Sequence, residues 1–455
     1  MVEMTCQIFH SSLRRGLRGG VVLCLFLAQA GATRLIEAAH RDDLPRVKAL
    51  LAEGVSVDQT NRYGVTPLSL ACQNGNPEMV RVLLQAGADA NLALPGDESP
   101  LHTACRTGKL ESVRLLVQAG ARLNAREHHR QTPMMWAAAE GHVDVVRYLL
   151  DQKAEFREAL ATGFTPLLFA VRQGHQDVAK ALIEMGADVN RGHEVKRRVR
   201  KGMRDGTSPL IMAVENGHFE LAAYLLTLGA DPNDLRSGYG PLHVLSWVRK
   251  SVKGDGDDGL PTPQGSGEMT SLELVRVLVQ HGADPNLKLK GGPGGTARVD
   301  RKGATPYLLA AETADLEFLQ VLEDVGADPS LTNDMDTGPL LAAAGMGVTA
   351  PGEEAADLKS ALEVVKYLVT QGADINVKDR RGETVMHAAA YKSAPAMMEL
   401  LDELGADIKV WHQKNQSGWT PLKITQGHRP GNFRPIEKSE RALAAIMKGH
   451  GVEPE

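Results

Sequence analysis

Aromatic side chains are scarce in this 455-residue chain, at 4% of residues, although hydrophobic residues reach 43%. A core of large rings is thereby excluded. The apolar interior has to come from Ala, Leu, Val and Met, which suits thin layers of closely packed helices. Charge of one sign is also lacking, because the formal net charge is only −5. A general nucleic-acid binder would need a strong basic excess, so nucleic acid is not an expected partner. Four cysteines are too few for a disulfide framework, and no apolar run approaches the roughly 20 residues that span a bilayer. Motifs of chemistry are missing as well. There is no Gly-x-Ser-x-Gly, no His-Glu-x-x-His and no phosphate-binding P-loop. Catalytic, cofactor-binding and metal-binding residues are therefore all expected to be absent.

What is present begins with residues 1–30, which have the layout of a secretory signal peptide. Arg14, Arg15 and Arg18 form a positive segment, Val21 to Ala28 a short apolar one, and Ala28-Gln29-Ala30 a small-x-small cleavage pattern. The competing reading is a buried helix of a partial first repeat. Two variants are twin-arginine export through Arg14-Arg15 and a lipoprotein at Cys24, but the residues after the arginine pair and Leu23 before the cysteine suit them poorly. The expectation is a secreted or periplasmic chain, monomeric, with no stable membrane anchor after cleavage.

A period dominates the remainder. Thr66-Pro67-Leu68, Ser99-Pro100-Leu101, Thr132-Pro133-Met134 and Thr165-Pro166-Leu167 follow one another at steps of 33. The series continues at Ser208, Gly240, Thr305, Gly338, Thr384 and Thr420. The first nine of these are followed by turns of the type Gly87-Ala88-Asp89-Ala90-Asn91. With an irregular opening unit from Thr33 to Asp58, eleven units result, spanning 31–455. Within one unit, Thr132 suits an N-cap and Pro133 the first helical position, where its missing N–H costs nothing. Gly141 ends that helix in a left-handed conformation. Val146, Leu149 and Leu150 recur at helical spacing in the next helix. Lys153 stands where other units place Gly, so strain is expected there. Neither helix buries its apolar face alone, and stacking supplies the core. Cys72 and Cys105 occupy equivalent positions in adjacent units. Helices about 8–10 Å apart exceed the roughly 7 Å that a disulfide spans, which predicts two buried free thiols.

The pattern resembles the ankyrin repeat, and Gln131 to Leu150 and Gly163 to Asn190 carry it most fully. That resemblance implies an all-α repeat solenoid of stacked helix-turn-helix units with β-hairpin fingers, no shared enzymatic activity, and a concave face that binds proteins. It also implies structural roles for His102, His243 and His387 in the Thr-Pro-Leu-His stretch, and for His142, His175 and His218 between helices.

Four departures break the register. Residues 191–205 lengthen a finger and carry Arg197, Arg198, Arg200, Lys201 and Arg204, which suits an acidic partner, an anionic polymer or membrane headgroups, or else a merely solvated hairpin. Residues 249–270 interrupt a unit between its helices and read as a mobile or partner-ordered loop. Their Asp255, Asp257 and Asp258 lack calcium-loop spacing. Beside this loop, Trp247 either anchors it or faces a ligand, and Tyr239 is a further candidate contact residue. Residues 288–302 form a Gly-rich flexible finger without the context of a phosphate cradle, and residues 346–359 interrupt a second unit. On another finger tip, Glu127-His128-His129 lacks a third protein ligand for a metal, leaving His128 and His129 as candidate contact residues. The candidate partner surface thus comprises Arg197, Arg198, Arg200, Lys201, Arg204, Trp247, Tyr239, His128 and His129, and the partner is a protein of unknown identity. An exported interaction scaffold is the leading expectation. A secreted effector acting in another cell and an enzyme whose site is built by the insertions are the alternatives.

Overall fold

The structure, a computed structural model, describes residues 34–194, 204–250, 263–291, 299–348, 356–429 and 434–454. It falls into two compact units, Met1–Pro209 and Leu210–Glu455. Residues 1–30, the expected signal peptide, lie outside the described residues.

The first unit contains the helix pairs Arg34–His40 with Leu44–Ala52, Pro67–Asn74 with Pro77–Gln85, Pro100–Thr107 with Leu110–Gln118, Pro133–Glu140 with Val143–Asp151, and Pro166–Arg172 with Gln176–Glu184. First helices pack on first helices, and second helices on second helices. The local reasons repeat in every pair. Thr132, in extended backbone at φ −102°, accepts the Met135 N–H at 3.4 Å, and Pro133 follows as the first helical residue. Gly141 closes the helix at φ 80°, in the left-handed region that glycine enters without penalty. The next helix buries Val145, Val146, Leu149 and Leu150 and exposes Asp144 and Arg147. Each buried aliphatic side chain contributes about 2 kcal/mol of transfer free energy. Lys153 takes φ 62° at the turn where Gly120 takes 84° and Gly186 takes 90°, so the expected strain is present.

In the second unit the pairs are Pro209–Glu215 (which starts at the boundary residue) with Phe219–Thr227, Pro241–Arg249 with Ser271–Gln280, Pro306–Glu312 with Leu316–Asp324, Pro339–Ala344 with Leu358–Thr370, Val385–Lys392 with Pro395–Glu403, and Pro421–Thr425 with Glu437–Gly449. The final helix buries Leu443 and Met447 and leaves Lys438, Arg441 and Lys448 exposed, a polar end to the stack. The second helix of the interrupted unit begins at Leu358, so Leu358 and Lys359 belong to the helix and not to the inserted segment. Asp357 sets that start by accepting the Ser360 N–H at 3.0 Å.

The fingers differ from the β-hairpins that the resemblance implied, because no strand occurs among the described residues. Each arm is too short for a ladder. Glu127 N–H donates to the Gln131 carbonyl at 3.1 Å and Arg130 N–H to the Glu127 carbonyl at 2.7 Å, after which the chain enters the next helix. In several fingers a side chain fills the turn in place of further strand pairing. Glu127 accepts the N–H groups of His129 and Gln131, both at 2.9 Å. Asn333, Asp379 and Asn415 do the same in their fingers.

Candidate functional site

The histidines of the Thr-Pro-Leu-His register tie one unit to the next. In His102, Nδ1 takes the Ser99 N–H at 3.2 Å, which leaves Nε2 to donate to the Gln131 carbonyl at 3.1 Å. His243 repeats this between Gly240 and Leu287, and His387 between Thr384 and Trp419. Burial lowers the His243 and His387 pKa values to about 4, so both imidazoles are neutral near pH 7. His142 and His175 donate Nε2–H to the Arg106 and Ala139 carbonyls of the preceding unit, at 2.9 and 3.0 Å. These side chains are occupied in holding the stack together.

His218 takes a different partner. Its Nδ1 accepts the Ser266 N–H at 3.1 Å and lies 2.9 Å from the Ser266 hydroxyl oxygen. Glu220 accepts the Glu268 N–H at 2.7 Å, and Thr270 caps the helix Ser271–Gln280. The returning arm of the 249–270 insertion, residues 263–270, is therefore fixed to the preceding helix pair, contrary to the expectation of a loop mobile throughout. Asp255, Asp257 and Asp258 lie outside the described residues. At the departing end, Arg249 forms a bidentate pair with buried Asp315, at 2.7 and 3.0 Å.

Tyr239 is only 4% exposed, and its hydroxyl donates to Glu215 at 2.7 Å. Trp247 is half-buried, edge-on to Tyr239 at 5.2 Å, with the Arg301 guanidinium 5.4 Å from its ring centroid. Trp247 thus faces the neighbouring 288–302 finger, while Tyr239 is committed to Glu215. That finger is itself docked on its described side. Val299 and Arg301 are buried, the Val299 N–H donates to Glu312 at 3.0 Å, and Arg301 pairs with the same carboxylate at 3.8 Å. The expected flexibility does not hold for those residues.

Arg197, Arg198, Arg200 and Lys201 lie outside the described residues. Arg204 is half-buried, and its carbonyl accepts the Thr207 hydroxyl at 2.8 Å. His128 and His129 are exposed on their finger tip with rings 5.1 Å apart. Among the described residues no group of three or more His, Cys, Asp and Glu side chains is placed to hold a metal ion. No described helix is long and apolar enough to cross a membrane.

The structure does assemble a cleft that sequence reasoning missed. Three successive fingers of the first unit enclose about 670 Å³, lined by Arg126, Arg130, Arg157, Arg191, Glu158, Glu194 and Asp205 over Ala159, Leu160 and Ala161. Leu160 is buried and packs with Met135, Ala139 and Phe169, which anchors the cleft floor to the core. Arg126 is paired with Glu158. Arg157 lies over the Phe156 ring and donates to the Met185 and Gly186 carbonyls at 3.1 and 3.3 Å. Arg191 in turn donates to the Arg157 carbonyl at 2.6 Å. Most of the guanidinium groups are thus held in place by the fingers, while Arg130 projects exposed at the rim.

The ankyrin-repeat profile (three copies) matches residues 35–127, 125–193, 161–236 and 353–429, more than half of the chain. The chain belongs to the ankyrin-repeat family. Ankyrin repeats bind protein partners, and the fold is typically non-catalytic. Among curated relatives, it is 28% identical over 141 residues to the probable 26S proteasome regulatory subunit p28 of Saccharomyces cerevisiae, covering 30% of this chain and 56% of that one. It is 30% identical over 184 residues to the nuclear factor NF-kappa-B p105 subunit of Gallus gallus, covering 40% of this chain and 15% of that one. The chain therefore spans about half of the first relative and a small part of the second. The crystal structure of the human ASB11 ankyrin repeat domain aligns with a TM-score of 0.45 at 22% identity, covering 58% of this chain and 100% of that one.

Proposed function

We propose that this chain is a non-catalytic scaffold that takes a protein partner along its fingers and first helices, and that residues 1–30 direct its export to a secreted or periplasmic location. One observation supports the binding reading above others. The apolar residues of the helices are consumed in stacking, whereas three consecutive fingers converge on a charged, open cleft. Such a division between rigid support and presented polar groups suits recognition. The export reading rests on the charge and hydropathy layout of the N-terminal segment.

Cross-linking in native extract followed by mass spectrometry tests the first part. A defined partner is expected to attach to finger lysines such as Lys288 and Lys378. Attachment only at second-helix lysines such as Lys180 and Lys366, or none at all, would overturn it. Fractionation tests the second part, since a chain lacking residues 1–30 should stay inside the cell while the full chain leaves the cytoplasm. Equal distribution of the two would reject export.

A further inference from the structure

The finger cleft of the first unit also defines what chemistry it would accept. Its walls carry four arginines and three carboxylates. Arg126 and Glu158 neutralise each other, and Arg157 and Arg191 are immobilised by backbone carbonyls while keeping their charge. With the Arg126–Glu158 pair set aside, the three arginines Arg130, Arg157 and Arg191 face the two carboxylates Glu194 and Asp205. The local field is thus positive in a protein whose total charge is negative. A dense polyanion would nevertheless meet Glu194 and Asp205 inside the cleft, and each repels it. The apolar floor of Ala159 and Leu160 offers such a polymer nothing.

We infer that this cleft receives an extended, acid-bearing peptide segment of the partner, with its carboxylates at Arg130 and Arg191, small apolar side chains on the floor, and a backbone N–H group at Glu194. The inference rests on the protein-binding reading above and deepens it. An extended segment suits this place because its side chains alternate, so carboxylates and small apolar groups fall on opposite sides. Pre-fixed guanidinium groups also lose little freedom on binding, which favours affinity.

Fluorescence anisotropy on the purified chain tests it, with a labelled synthetic peptide of alternating glutamate and alanine, its lysine–alanine counterpart, and inorganic polyphosphate as probes. The glutamate peptide is expected to bind with an affinity that falls as salt rises. Arg130→Glu should weaken it at least about tenfold, because reversal replaces attraction by repulsion at the same point. Arg46→Glu makes the same charge change on an exposed residue of the first helix pair and should leave binding unaltered. Equal loss in the two variants, no binding of the glutamate peptide, or polyphosphate binding that is the stronger and is abolished by Arg130→Glu would each overturn the inference. A partner still captured on the fingers while the peptide fails would reject this inference and leave the scaffold reading standing. Circular dichroism of both variants confirms that the exposed substitutions leave the fold intact.

Discussion

Replacing Glu383 by Gln should reverse the sign of its effect on stability between pH 4 and pH 8. Glu383 is only 6% exposed. One carboxylate oxygen accepts Asn415 Nδ2 at 2.8 Å and the Tyr391 hydroxyl at 3.1 Å, while the other is buried with no hydrogen-bond partner among the described residues. Burial, reinforced by the charge of Asp379, raises its pKa from 4.5 to about 7 against the opposing pull of Asn415, Tyr391 and Arg381. The folded state therefore holds a proton that the unfolded state releases as pH rises through 4.5. Stability is greatest below that value, falls as pH climbs to about 7, and is flat above it. The full loss is roughly 3 kcal/mol. Gln keeps the acceptor for Asn415 and Tyr391 and never ionises, but it places an amide N–H group where the unpartnered oxygen lies, at about 1 kcal/mol. The variant should be less stable than the natural chain, by about 1 kcal/mol, at pH 4 and more stable, by about 2 kcal/mol, at pH 8. Denaturant unfolding at the two pH values, with hydrogen exchange of the Glu383 amide to localise the change, measures this. Parallel pH profiles for the two proteins would refute the reasoning.

Four further outcomes follow from the packing. Asp315→Ala removes the bidentate partner of the largely buried Arg249, leaving it Glu317 and Ser271, and removes the cap on the Phe318 N–H, so the urea midpoint should drop by an amount equivalent to about 2 kcal/mol. Lys153→Gly relieves a left-handed lysine and should raise the melting temperature by the equivalent of about 1 kcal/mol. Gly141→Ala should lower it by about 2 kcal/mol, since the added carbon meets His175 Nδ1 at 2.6 Å in a left-handed residue. Cys72 and Cys105, buried free thiols whose pKa values burial pushes up, should resist a thiol reagent in the native protein and react once it is unfolded, as peptide mass spectrometry would read.

The helix pairs could be read from the chain because their causes are local or one period distant. A cap such as Thr132, the first-turn Pro133, the closing Gly141 and the ties of His102 each involve residues a few positions apart or in the adjoining repeat. Period and local chemistry therefore agree on one answer. Buried free cysteines were legible for the same reason, since equivalent positions one repeat apart stand one helix spacing apart.

The cleft was not legible in that way. Arg126, Arg157 and Arg191 belong to three fingers and do not share a repeat position, so neither period nor charge density along the chain brings them together. Charge counting selected residues 191–205 and passed over the first two arginines, whose fingers also carry acids such as Glu127 and Glu158. Tyr239 and Trp247 were visible as unusual aromatics, yet their commitment to Glu215 and Arg301 depends on how the following finger folds back. Asn415-Gln416-Ser417 has the form of a glycosylation acceptor, but the Asn415 side chain is buried against Glu383 and Tyr391. Repetition along the chain dictates which segments become helices and where they stop, because those choices are settled by neighbours in sequence. Which polar groups meet, which are hidden and which charge is raised in pKa depends on approach distances between fingers that no single repeat encodes.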